Sequence, residues 1–141
     1  MKVCDVMSTE PIQIDAAETT AAAARLLSRH NVGILPVCKH GNLVGVVTDR
    51  DIVLRCVAAG LSADSTAISQ VMTQRVITVS PDDELRLAAG KMATEQVRRL
   101  PVVQDRRLVG IVSLGDLAKQ PGYSMEAAEC LCDLCDNTSA R

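Results

Sequence analysis

Displaced by 65 residues, this chain aligns with itself without a gap: residues 6–52 fall on residues 71–117. An internal repeat confines the fold to two like units, each with the same pattern of buried and turn positions. Coincident residues include Val6/Val71, Met7/Met72, Ile12/Ile77, Ala23/Ala88, Ala24/Ala89, Val32/Val97, Leu35/Leu100, Pro36/Pro101, Val37/Val102, Leu43/Leu108, Val44/Val109, Gly45/Gly110 and Val47/Val112. All are apolar or special to the backbone, so a duplicated fold accounts for them. Asp51/Asp116 is different in kind. It is a carboxylate just after an apolar strand, and in each copy a hydroxyl residue stands three positions earlier, in Thr48-Asp49-Arg50-Asp51 and Ser113-Leu114-Gly115-Asp116. A polar pair recurring at one spacing points to duplicated chemistry.

The chain has 141 residues, 48% of them hydrophobic. A unit of roughly 50–60 residues alone would bury only about 60% of its chain surface. The two repeats are therefore expected to pack as one pseudo-symmetric α+β module. A net charge of -2 and a pI near 5.6 argue against a surface for nucleic acid. The single aromatic residue, Tyr123, provides no platform for stacking bases. No stretch approaches the roughly 20 apolar residues of a membrane span, and the start lacks an apolar signal segment. The expected location is the cytosol, where six cysteines read as reduced thiols rather than a disulfide framework.

Each repeat reads β-α-β-β-α. Ile12-Gln13-Ile14 alternates like a short strand, and Asp15-Ala16-Ala17-Glu18 has the form of a capping box opening a helix that runs to His30. Its counterpart is expected to start at Ser80-Pro81 and to place Leu85, Ala88, Ala89 and Met92 on one face. Ile34-Leu35-Pro36-Val37-Cys38 and Leu43-Val44-Gly45-Val46-Val47 form a hairpin pattern, repeated at residues 100–104 and 108–112 with no glycine in the turn. Residues 49–57 and 114–119 read as helices, and residues 66–72 as a short lead-in helix. The expected division is residues 4–57 for the first repeat, 58–70 for a linker, 71–119 for the second repeat and 120–141 for a tail.

A hydroxyl ending a strand and a carboxylate in the next turn can serve a helix or a ligand. Unpaired N–H groups at a helix start favour an anion, and an acceptor-only carboxylate takes hydrogen bonds from hydroxyls such as a ribose diol. Helix capping needs the same two residues and no ligand. One copy is explained by capping; nothing in capping requires the same spacing twice.

The ordered motifs carry a resemblance. Met-Ser/Thr near each repeat start, Val-x-x-Leu-Pro-Val at residues 32–37 and 97–102, and Leu-Val-Gly-Ile/Val-Val-Thr/Ser-x-x-Asp together resemble the cystathionine-β-synthase (CBS) domain family over residues 4 to 119. Val47-Thr48-Asp49-Arg50-Asp51-Ile52 is similar to small stand-alone bacterial proteins made of one CBS pair. The resemblance implies a non-catalytic regulatory module that binds adenosine-containing ligands (AMP, ADP, ATP, NAD or S-adenosylmethionine). It implies no required cofactor, a homodimer and an unidentified regulated protein. It also implies two ligand sites. One would join Thr48, Arg50 and Asp51 to Arg75, Val76, Ile77, Arg98 and Arg99; the other would join Ser113 and Asp116 to Thr9, Pro11, Ile12, Gly33 and Ile34. With no Phe or Trp, adenine would rest on aliphatic walls. Arg98 and Arg99 read either as solvated charge or as phosphate contacts, with Arg99 the better placed.

Cys130, Cys132 and Cys135 carry the competing reading, a thiol-based redox or metal-responsive tail. Cys-x-Cys-x-x-Cys offers three ligands without a nearby His, and Met125, Ala128, Cys132 and Cys135 form one apolar stripe at helical spacing. Packing is the expected role, and no metal is expected. Neither His30 nor His40 pairs with a nucleophile, so no catalytic residue is expected.

Overall fold

The computed structural model describes residues 1–122. They form two compact units: a first unit, Ile12–Val76, and a second unit that joins Met1–Pro11 to the described residues from Ile77 onward. The folded unit and the sequence repeat are thus different segments. Each unit takes its strands and helices from one repeat and its lead-in from the other.

In the first unit, β1 (Ile14–Asp15) pairs in parallel with β2 (Ile34–Lys39), which pairs antiparallel with β3 (Asn42–Thr48). Between β1 and β2 runs α1 (Thr20–His30). It starts later than the sequence pattern suggests. Asp15 is extended, its carboxylate accepting from Ala17 N at 2.8 Å, while Ala16 N donates to Cys38 O and Glu18 O accepts from Ile68 N. Those backbone groups are committed to pairing, and Thr19 caps the helix by accepting from Ala22 N at 3.1 Å. Ala23 and Leu27 bury one face of α1 against Leu35, Val37 and Val47. All four central residues of β2, Leu35 to Cys38, are buried, as an apolar strand covered on both faces should be. Burial pushes the Cys38 thiol pKa up, and the nearby Asp15 carboxylate adds to the effect.

Beyond β3, α2 (Asp49–Ile52) widens into a π turn at Val53–Val57. Within residues 58–70, Ala63 O and Thr66 O accept hydrogen bonds from the start of α1. Thr20 is fully buried, and its N–H and hydroxyl both donate to Thr66 O at 2.8 Å. The lead-in contains a single 3-10 turn, Ile68–Gln70.

The second unit repeats the plan. Val79 bridges Val102 in parallel, α3 (Leu85–Glu95) follows, and β4 (Arg99–Gln104) pairs antiparallel with β5 (Arg107–Ser113) before α4 (Leu114–Ala118). Here too the helix begins after the expected cap. Ser80 N donates to the Asp83 carboxylate at 2.8 Å to close a turn, and Leu85 N, which would lack a partner, donates to Met1 O at 3.0 Å. Leu85, Ala88, Ala89 and Met92 face the core with Leu100, Val102 and Val112. The hairpin turns show why one needs no glycine. His40 and Gly41 have φ of 54° and 81°, and Asp105 and Arg106 accept the same left-handed conformation at 52° and 69°, a cost of order 1 kcal/mol or more for Arg106.

Gly45 and Gly110 are required by close approach. Thr73 exchanges both backbone hydrogen bonds with Val46, and Ser8 does so with Ile111. A Cβ on Gly45 would lie 2.8 Å from Thr73 O; one on Gly110 would lie 2.7 Å from Ser8 O. Only glycine lets each lead-in dock.

Candidate functional site

The apolar strand, its hydroxyl end and the following turn place each Thr/Ser-x-x-Asp pair in a reciprocal capping box. In the first unit, Thr48 Oγ1 accepts from Asp51 N at 3.0 Å and Asp51 Oδ2 accepts from Thr48 N at 3.1 Å. In the second, Ser113 Oγ accepts from Asp116 N at 3.1 Å and Asp116 Oδ2 accepts from Ser113 N at 2.9 Å. Capping is therefore real in both copies and stabilises each turn by about 1 kcal/mol. It does not exhaust the groups. Among the described residues the Thr48 and Ser113 hydroxyl hydrogens have no acceptor, and Asp116 Oδ1 has no donor. A donor beside a carboxylate acceptor suits a ligand that carries both an anionic oxygen and a hydroxyl pair.

Asp51 has partners that Asp116 does not have among the described residues. Thr73 Oγ1 donates to both Asp51 oxygens at 3.2 Å, and the Arg55 guanidinium lies 3.6 Å from Oδ1. Arg55 Nη1 also reaches Val71 O at 3.1 Å, Met72 O at 2.9 Å and Thr73 Oγ1 at 3.2 Å. The 65-residue offset puts Ser8 where Thr73 stands and Gln120 where Arg55 stands. Neither hydrogen-bonds Asp116 among the described residues. Neither Thr73 nor Arg55 is evident from the repeat, because the pair differs between copies. The signal for Arg55 was its spacing, four residues after Asp51 on a helical turn.

The remaining expected residues divide between the units. Arg75 and half-buried Val76 follow Thr73 in the first unit, with Arg50 exposed beside Asp51. Gly33 and Ile34 sit against the same cap, since Gly33 O accepts from Asp49 N at 3.3 Å and Ile34 pairs with Thr48. Ile12, 37% exposed, also belongs here. In the second unit, Arg98 O accepts from Leu114 N at 2.7 Å and Arg99 pairs with Ser113. Thr9 and Pro11 follow the Ser8 bridge, and Ile77 packs on the core of that unit. So the strand starts that flank the two caps differ in charge: Gly33-Ile34 in the first unit, Arg98-Arg99 in the second.

The CBS domain family model matches residues 3–57 and, separately, residues 68–122. The chain belongs to the CBS domain family. It is 44% identical over 116 residues to the CBS domain-containing protein YhcV of Bacillus subtilis, covering 82% of each chain. A crystal structure of Hypoxic Response Protein I with two coordinated zinc ions superposes with a TM-score of 0.76 at 33% identity, over 84% of this chain and 98% of that one. The CBS domain pair of protein MJ0100, solved in complex with 5′-methylthioadenosine and S-adenosyl-L-methionine, gives a TM-score of 0.70 at 35% identity, over 84% of this chain and 94% of that one.

Among the described residues no three His, Cys, Asp or Glu side chains gather to hold a metal, and no helix is long and apolar enough to cross a membrane. Cys4 is exposed; Cys38 and Cys56 are buried and free. The tail cysteines Cys130, Cys132 and Cys135 lie outside the described residues.

Proposed function

We infer that this CBS pair is a cytosolic, non-catalytic regulatory module that binds an adenosine-containing ligand and relays its presence to another protein. The observation that carries the reading is the duplicated hydroxyl-carboxylate pair, with a hydroxyl hydrogen left over in each copy. Asp51 and Asp116 would accept from the ribose diol, and the Thr48 and Ser113 hydroxyls would donate to the ligand's phosphate or equivalent oxygen. Arg50, Arg75 and Arg99 would favour a phosphorylated ligand. The adenosine compounds held by the MJ0100 pair support the ligand class. With no Phe or Trp in the chain, the wall for a base would be aliphatic.

Calorimetric titration of AMP, ATP, NAD and S-adenosylmethionine into the full chain tests the reading. At least one should bind well below millimolar; binding of none below about millimolar, roughly 4 kcal/mol of affinity, removes its support.

A homodimer, which the family resemblance implies, is part of the proposal. Val53, Leu54 and Val57 on the π turn are 55%, 51% and 65% exposed. A second copy would cover them. Light scattering should return twice the 15.0 kDa chain mass; a monomer at every concentration excludes it.

A further inference from the structure

We propose that Arg55 is a positioning residue that makes the Asp51 site the tighter of the two by fixing the carboxylate through Thr73. The inference rests on the ligand reading above and adds what sets its strength. Arg55 is donor-only, so where its Nη1 meets the Thr73 hydroxyl at 3.2 Å, that oxygen must accept. The single Thr73 hydrogen is then left for Asp51, whose two oxygens each lie 3.2 Å from Thr73 Oγ1. The same Nη1 holds Val71 O and Met72 O at 3.1 and 2.9 Å. One guanidinium therefore ties the lead-in to the turn, orients a hydroxyl and keeps a charge 3.6 Å from the carboxylate. A carboxylate fixed from two sides loses little freedom when a diol binds, which is the ordinary source of affinity from preorganisation.

Among its described residues the second unit shows neither part. Ser8 docks its backbone on Ile111 as Thr73 does on Val46, yet no hydroxyl reaches Asp116 among the described residues. Gln120 replaces Arg55, and carries no guanidinium charge to set beside Asp116. The π turn at Val53–Val57 is what brings Arg55 across to the lead-in; α4 has no such widening among the described residues. The repeat thus keeps the cap and differs in the clamp.

The test is two-site calorimetry with AMP on the full chain, wild type against Arg55→Gln, Arg55→Lys, Thr73→Val and the Arg55→Gln/Thr73→Val double variant. Arg55→Gln and Thr73→Val should each weaken the tighter site by about tenfold and leave the weaker one unchanged, and the double variant should be no worse than either, as residues acting through one another require. Arg55→Lys should restore most of the loss. Thr73→Val leaves the carbonyl contacts of Arg55 intact, so it carries the test if Arg55→Gln melts the unit. Two unchanged affinities in Arg55→Gln, or losses that multiply in the double variant, overturn the proposal. An Asp51→Ala chain that loses the tight site while Arg55→Gln keeps it overturns the clamp alone; a wild type that binds none of AMP, ATP, NAD and S-adenosylmethionine overturns the ligand reading with it.

Discussion

Asp51 and Asp116 close the same capping box on the same turn of the same repeat, yet Asp51 is 8% exposed and gripped from outside its turn by Thr73 and Arg55. Asp116 is half-buried and held by its own turn. The frames around them are matched to a few tenths of an ångström: each lead-in exchanges two backbone hydrogen bonds with its strand, and each docks over a glycine. The difference lies in side chains that the frame does not need. Duplication preserved the scaffold of both sites and left their polar surroundings free to diverge, so equivalent residues here are not equivalent groups.

If the frames are equal, breaking them should cost the same. Gly45→Ala and Gly110→Ala each push a Cβ to within 2.8 and 2.7 Å of a backbone oxygen that cannot swing away. Each should lower unfolding free energy by about 1–3 kcal/mol, read from urea melts. A large loss in one unit and none in the other would show that the lead-ins dock differently.

A smaller effect sharpens the contrast between the hairpins. Position 38 is a buried cysteine where the second unit has Val103. Folding favours the neutral thiol, whose pKa is raised from 9.0. This contribution is intact below that value and is lost as pH rises through the folded pKa. Stability should therefore be unaffected by this group below about pH 9 and fall as pH rises above it, and Cys38→Val should flatten the fall. An unaltered slope would assign the pH dependence to other groups.

The repeat made most of the fold legible, because burial at spacings of two and of three to four is written in side-chain type. Leu85, Ala88, Ala89 and Met92 are all buried as their spacing predicts. Helix starts were less legible. Asp15-Ala16-Ala17-Glu18 has the composition of a cap, but its backbone pairs with residues 38 and 68, partners that lie too far along the chain for any local pattern to register. The capping pairs themselves were plain in the sequence. Thr73 and Arg55 were not, since a comparison of repeats finds what the two copies share and, among the described residues, the clamp is seen in one.

The most direct test of the inequality is calorimetric titration of AMP into Asp51→Ala and Asp116→Ala chains. Both substitutions remove the same capping box, and Asp51→Ala also removes the Thr73 and Arg55 contacts, so a urea melt of each chain accompanies the titration. Loss of a hydrogen bond to a charged group costs about 1.5–3 kcal/mol. Asp51→Ala should thus weaken the tightest phase by roughly tenfold to more than a hundredfold, and Asp116→Ala should leave that phase nearly intact. A tightest phase that survives Asp51→Ala and disappears in Asp116→Ala would contradict the account.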